Sequence, residues 1–277
     1  MQRTHNPSRS RTHAIERKRR RYGARMPEGD SIYKAALRLQ PALAGQPLVA
    51  MYAPRLIGER PKSGEIITAV EAVGKHLLIR FSGGVTLESH MRMTGSWRVV
   101  DLTGPAPRST AVRVVLDTPT TRAVCFNAPI VRTWRRPDSL QHLGPDLCRL
   151  DVDLHAVLER LCAVDESDQI GDVLLDQRLA CGIGNVYKSE VLHACRQDPF
   201  AALHDLDEAR RRELFETAVR LLQANLGPGR RQTVPGGYAV YLKLNRPCPR
   251  CRTRITMKRQ GEHARSTYYC PSCQKSR

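Results

Sequence analysis

Four cysteines near the C-terminus, Cys248, Cys251, Cys270 and Cys273, stand in the spacing C-x2-C-x18-C-x2-C. Two knuckles separated by an insert of hairpin length let four thiolates converge tetrahedrally on one zinc ion, at about 2.3 Å each. The insert reads as a β-hairpin, with a run over 254–259, a turn at Gln260-Gly261-Glu262 and a return run to Tyr269. It carries five Lys or Arg against one Glu, a charge suited to entering a nucleic-acid groove, although a purely structural staple has the same spacing. The other five cysteines, Cys125, Cys148, Cys162, Cys181 and Cys195, are scattered singly. With an odd total and no secretory signal, a reducing intracellular compartment is expected, cytoplasm or nucleoid, and no disulfide framework.

Charge narrows the partner. The chain of 277 residues holds 45 Lys+Arg against 27 Asp+Glu, a formal +18. Such an excess associates with polyanions through counterion release, so DNA is the expected partner and binding should weaken steeply with salt. Aromatic residues are only 5%, which argues against broad base-stacking platforms. No apolar run is long enough for a membrane span. Part of the charge lies in residues 1–25, with nine Lys or Arg and one Glu. That segment lacks an apolar signal core and is read as lying outside the fold: a transit peptide, a basic cluster at 17–21, a DNA-gripping arm, or sequence upstream of a true start at Met26.

Periodicity divides the remainder. Ile32, Ala35, Ala36, Leu39 and Leu43 have helical spacing over 31–43, with Pro41 and Gly45 as terminators. From 66 to 87 the chain turns to Val, Ile, Leu and Thr, and Ser82-Gly83-Gly84 separates two runs expected to pair as a hairpin. Further strand-like runs at 97–102, 112–116 and 123–126 predict a β-sandwich domain over 26–145. A helical pattern follows, with Leu154, Val157, Leu158 and Leu161 behind an Asp151 or Asp153 cap, and Leu214, Ala218, Leu221 and Leu222 before Gly227-Pro228-Gly229. This predicts a helical domain over 146–243 and a zinc finger over 244–277, an α+β multidomain chain.

Three further motifs carry chemistry. In Cys181-Gly182-Ile183-Gly184-Asn185 two glycines make a tight turn, placing Asn185 at a helix N-cap where free backbone N–H groups would form a phosphate site. Lys75 in Val73-Gly74-Lys75-His76-Leu77 is a cation opening an apolar strand, which is ordinarily just solvated. Met26-Pro27-Glu28-Gly29-Asp30 reads as a helix start. If Pro27 becomes the first residue, it is a secondary amine with a pKa in the α-amino range, able to attack a sugar C1′, with Glu28 beside it to move protons.

Taken together and in this order, MPEGD, GKHLL with SHMRMTGSW, LLDQRLACGIGNVYKSE and the terminal cysteines with RSTYYCPSCQ resemble the formamidopyrimidine-DNA glycosylase/endonuclease VIII family over residues 26–277. The resemblance implies a β-sandwich with flanking helices, a helix-two-turn-helix domain and a β-hairpin zinc finger. It implies a monomeric base-excision repair enzyme that removes oxidised bases, pyrimidines favoured, and cuts the strand by β,δ-elimination. Damaged or abasic duplex is the implied partner, with single-stranded DNA also admitted. Carried over, Pro27 resembles the Schiff-base nucleophile, Glu28 its acid/base partner, and Lys75 the lysine near the lesion's phosphate. Asn185 resembles the phosphate-binding asparagine, Arg265 the zinc-finger arginine that assists elimination, and Met93 the wedge that fills the gap left by an everted base. Gly29 leans toward the endonuclease VIII branch. Three departures stand out: with residues 1–25 attached the Pro27 nitrogen is a tertiary amide, Ser31 replaces a second glutamate, and Leu242 and Leu244 replace a glycine and its neighbours. With the nitrogen blocked, the competing reading is a zinc-dependent damaged-DNA-binding protein without catalysis. A basic zinc-ribbon RNA-associated protein would explain the charge and cysteines but not MPEGD or GIGN.

Overall fold

The computed structural model describes residues 26–107, 109–135 and 140–275, so the basic extension 1–25 lies outside the described residues. Helix α1, Gly29–Leu43, buries the predicted stripe of Ile32, Ala35, Ala36, Leu39 and Leu43. It starts two residues earlier than the apolar spacing implies, and Pro41 lies inside its last turn rather than ending it. The carbonyl that Pro41 leaves without an amide donor belongs to Leu37, whose side chain is 53% exposed, so solvent can satisfy it and the helix runs on.

Behind α1 stand two four-stranded antiparallel sheets. One has the order β1, β6, β7, β5 (Ala50–Tyr52, Val112–Asp117, Arg122–Phe126, Ser96–Val100) and the other β2, β3, β4, β8 (Ile67–Val73, His76–Phe81, Thr86–His90, Ile130–Trp134). Ile67, Leu77, Ile79, Leu87, Val114, Leu116, Ala123 and Val131 face one another between the sheets and share their core with α1. The apolar stretch of 66–87 is therefore a three-stranded meander. Its Ser82 to Val85 turn joins β3 to β4 as expected, and a second reversal at Gly74-Lys75 joins β2 to β3. Strands β1 and β8 carry no alternation that the sequence reading detected.

A second core gathers helices. These are α2 (Leu154–Leu161), α3 (Ile170–Val173), α4 (Asn185–Ala194), a 3-10 turn at Leu203–Asp205 and α5 (Glu208–Gln223). Of the two candidate caps for α2, Asp153 accepts from the N–H groups of His155 and Ala156. Asp207 caps α5 by accepting from Arg210 N–H. A third cluster joins Val186 of α4 to Ala239, Val240 and Tyr241 of the connector, the Gly-rich basic segment over 229–246, and to Cys248, Ile255, Tyr268 and Cys270. It seats the hairpin β9 (Thr256–Gln260) and β10 (Arg265–Tyr269) against the helical body. In the connector Leu242 adopts φ 59, a left-handed conformation that glycine takes freely and leucine takes at a cost of about 1–2 kcal/mol. The predicted loss of glycine there is thus absorbed as local backbone strain.

Candidate active site and DNA-binding surface

Helix α4 organises the site. Its first turn was expected to offer free N–H groups to a phosphate, with Asn185 as N-cap. Instead Gly184 is the N-cap and Asn185 the first helical residue. The N–H groups are taken by an anion from the chain itself. Glu28 Oε1 accepts from Val186 N–H at 2.7 Å, and Oε2 accepts from Gly184 and Tyr187 N–H at 3.1 and 3.2 Å. A side chain at 184 would run into the Glu28 carboxyl group, so the glycine is what admits the carboxylate. Glu28 is 1% exposed, and Gly29 N–H bonds Gly182 carbonyl at 2.9 Å, so the start of α1 is sewn to the loop before α4.

Asn185 keeps its side chain for the zinc finger. Its Nδ2 donates to Ser266 carbonyl at 2.7 Å, which fixes the residue next to Arg265, while its Oδ1 is buried with no hydrogen-bond partner among the described residues. Arg265 itself is exposed at the turn end of β10. Lys75 lies in the β2–β3 turn, held because Gly74 N–H donates to Asp146 Oδ2 at 2.7 Å and Gly74 packs tightly on Cys181. Burial pushes the Lys75 ammonium down to about 8, with Glu28 opposing that shift and Arg265 adding to it. The charges of Glu28 and Arg265 thus both act on Lys75, and Asn185 bonds the residue after Arg265, so four separate segments meet near Glu28, the chain neighbour of Pro27. Met93 lies on the β4–β5 loop, 55% exposed.

The four cysteine sulfurs at the base of the hairpin lie within 4.8 Å of one another, with Cys248 to Cys273 at 3.9 Å and Cys251 to Cys270 at 3.4 Å. Tetrahedral zinc with bonds of about 2.3 Å places its sulfurs about 3.8 Å apart, so the donor set fits one zinc ion.

Several residues here gave no sequence signal. Asp146 fastens the Lys75 turn and also accepts from Cys148 N–H at 2.9 Å. His193 places Nε2 3.4 Å from Cys248 Sγ, an outer contact to the metal ligands. Buried Lys188 donates to Thr267 Oγ1 at 2.6 Å, and Thr267 donates to Gln260 Oε1 at 2.7 Å.

Family models match in the same order. The formamidopyrimidine-DNA glycosylase N-terminal domain matches residues 26–131, its H2TH domain matches 143–234, and the zinc finger found in FPG and IleRS matches 246–275. The class is thus a DNA glycosylase body with its zinc finger. A probable endonuclease 8 2 of Streptomyces coelicolor is 40% identical over 264 residues, covering 90% of this chain and 94% of its own length. A DNA-(apurinic or apyrimidinic site) lyase Nei2 of Mycolicibacterium smegmatis is 34% identical over 259 residues, covering 90% and 99%. MutM in complex with DNA containing carbocyclic 8-oxo-G shares the fold with a TM-score of 0.77 at 24% identity, covering 90% of this chain and all of that one. The chain belongs to the formamidopyrimidine-DNA glycosylase/endonuclease VIII family.

Proposed function

We propose that the protein is a bifunctional DNA glycosylase and AP lyase of base-excision repair, acting through the nitrogen of Pro27 as nucleophile on damaged or abasic duplex, with oxidised pyrimidines preferred. The observation that carries this reading is the seat of Glu28. A carboxylate fixed by three N–H groups at the start of α4 anchors the residue next to Pro27, and its charge acts on Lys75, as does that of Arg265, which supports a cationic pocket beside the proline. The catalytic form begins at Pro27, because acylation by residue 26 leaves that nitrogen no usable lone pair. Consistent with this, the N-terminal family model starts at residue 26, and the relatives are matched over nearly their full length with a tenth of this chain left over.

The free amine attacks C1′, the glycosidic bond breaks, and the base leaves with the bonding pair and takes a proton. Glu28 accepts the proton released from nitrogen and returns it to O4′ as the sugar opens, leaving an iminium on Pro27. Loss of a C2′ proton then expels the 3′ phosphate, and loss of a C4′ proton expels the 5′ phosphate. In this reading Lys75, Arg265 and the second Nδ2 hydrogen of Asn185 hold the phosphates flanking the lesion, and Met93 fills the gap in the stack. The four cysteines keep the hairpin that carries Arg265 in place through zinc.

The test compares protein beginning at Pro27 with the intact 277-residue chain, both verified by mass, on abasic-site DNA with borohydride. An adduct on residue 27 is expected only in the first. An adduct on a lysine, or equal trapping in both, overturns the reading. Glu28→Gln should slow base removal at least about 100-fold while leaving the affinity for DNA within a few-fold.

A further inference from the structure

The connector between the helical domain and the zinc finger sends one side chain back to the start of α1. Arg231, whose side chain is 7% exposed, donates through Nε to Asp30 Oδ2 at 2.8 Å and through Nη2 to Asp30 Oδ1 and to Ser31 Oγ. Its Nη1 donates to the carbonyl of Met26 at 3.1 Å, and its guanidinium lies 5.2 Å from the ring centre of Tyr187, whose N–H binds Glu28. We propose that Arg231 is a positioning residue for the nucleophile, holding the first turn of α1 and keeping the Pro27 amine unprotonated once residue 26 is gone. The inference rests on Pro27 being the nucleophile.

Only one carbonyl carbon separates the Met26 oxygen from the Pro27 nitrogen, with bonds of about 1.2 and 1.3 Å, so Nη1 stands within about 5.5 Å of that nitrogen. Removing Met26 removes the acceptor and leaves a buried cation with an N–H group facing the new amine. A cation at this range in a poorly solvated site disfavours a second one. Two carboxylates pull the other way. Asp30 is committed to Arg231, and Glu28 to the N-terminus of α4. Among the described residues, the further charged or titratable groups around the position are Lys34 on α1, Tyr187 and Lys188 on α4, Tyr238 and Tyr241 in the connector, Lys75 in the β2–β3 turn, Asp146, Cys148 and Cys181 beside that turn, and Arg265 on β10. Burial opposes the Arg231 charge, but Asp30 and then Glu28 outweigh it and hold the guanidinium protonated. The amine thus sits where one pair, Arg231 and Asp30, balances its protonation.

Removing one member of the pair should tip the amine in one direction, and removing the other should tip it in the opposite direction. With protein beginning at Pro27, single-turnover borohydride trapping on abasic-site DNA is followed from pH 5 to 9. Arg231→Gln leaves Glu28 and Asp30 unopposed, so the acid limb moves up by about one pH unit and trapping below it falls about tenfold, with Arg231→Lys restoring most of the loss. Asp30→Asn leaves Arg231 unopposed, so the limb moves down. A merely structural role would lower the amplitude of both variants without moving either limb, and that result, or movement of both in one direction, overturns the inference. Reductive methylation of the proline amine by formaldehyde and cyanoborohydride, read by mass against pH without DNA, gives the same midpoints independently of catalysis. Wild-type protein that methylates at residue 27 but traps no DNA there would overturn the nucleophile reading, while the methylation midpoints still decide the role of Arg231.

Discussion

At the scale of single residues, the motifs nominate side chains without saying what each one touches. Pro27, Glu28, Lys75 and Asn185 are nominated by short motifs of unusual composition, and Arg265 by the family resemblance. The partner of the α4 N-terminus was not legible, because Glu28 and Gly184 are 156 residues apart and a helix start looks the same whether its anion is a phosphate or a carboxylate. Arg231 and Asp146 were invisible for the same reason, their meaning lying wholly in long-range contacts. Lys75 shows what the site costs. Burial holds its ammonium at about 8 against an ordinary 10.5, so below pH 8 the folded state carries a cation that the unfolded chain would solvate more favourably. That penalty is full below the folded value and is relieved as pH rises toward 10.5. Lys75→Met should therefore stabilise the protein at pH 7 by about 1–3 kcal/mol in denaturant unfolding, with the gain vanishing near pH 10.5. The same variant should lose at least about tenfold in trapping rate. A variant that is less stable at pH 7 than wild type would contradict the burial argument.

Among the elements, the apolar stripes of α1, α2 and α5 were read from periodicity while the one-turn α3 was not, and strands were read as apolar runs rather than as alternating faces. Strand β4 explains the difference. Its residues Thr86, Leu87, Glu88 and Ser89 are all buried, so the strand has no exposed face to alternate against. Glu88 makes this tolerable. It is fully buried and accepts from His76 Nδ1 at 2.9 Å, from Arg132 at 2.9 and 3.0 Å, and from Trp134 Nε1 at 2.9 Å. This ties β3 and β8 to β4 directly behind Lys75. Strand β8 escaped prediction because Arg132 and Trp134 look like surface residues until their carboxylate partner is known. Burial alone would raise the Glu88 carboxyl, but the His76, Arg132 and Trp134 hydrogen bonds win and hold it down at about 2, below its ordinary 4.5. Its contribution is therefore present above pH 4.5 and lost as pH falls toward 2. Glu88→Ala, which strands these donors, should cost about 3–5 kcal/mol at pH 7. The gap in melting temperature between wild type and Glu88→Gln should close across that acid window, and a gap independent of pH would show that the carboxylate's charge is not what the network uses.

For the whole molecule, the arrangement makes the zinc finger a working part of a site built mainly elsewhere. The cysteine spacing announced the metal, but spacing does not say where the hairpin leans. Contacts from the helical body answer that: Asn185 holds Ser266, Lys188 holds Thr267, and Gln260 donates to Pro199 carbonyl at 2.7 Å, while His193 meets Cys248. These bonds grip β10 from one side and the cysteines close it from below, so Arg265 is positioned only when both are intact. Without zinc the four thiols no longer share a centre, and the hairpin is left to the bonds from the helical body and to the small apolar cluster of Tyr241, Ile255 and Tyr268. The sandwich and helical cores are separate clusters with no ligand in the metal site. Stripping zinc with a chelator at pH 7 should therefore release one ion per chain and leave the far-ultraviolet signal of the helices largely unchanged. It should also abolish tight binding to abasic-site duplex, with at least about a hundredfold loss of affinity, and addition of zinc alone should restore it. Retention of full affinity after verified zinc loss would mean that the hairpin is held by α4 without the metal and that the cysteines serve only to fasten the end of the chain.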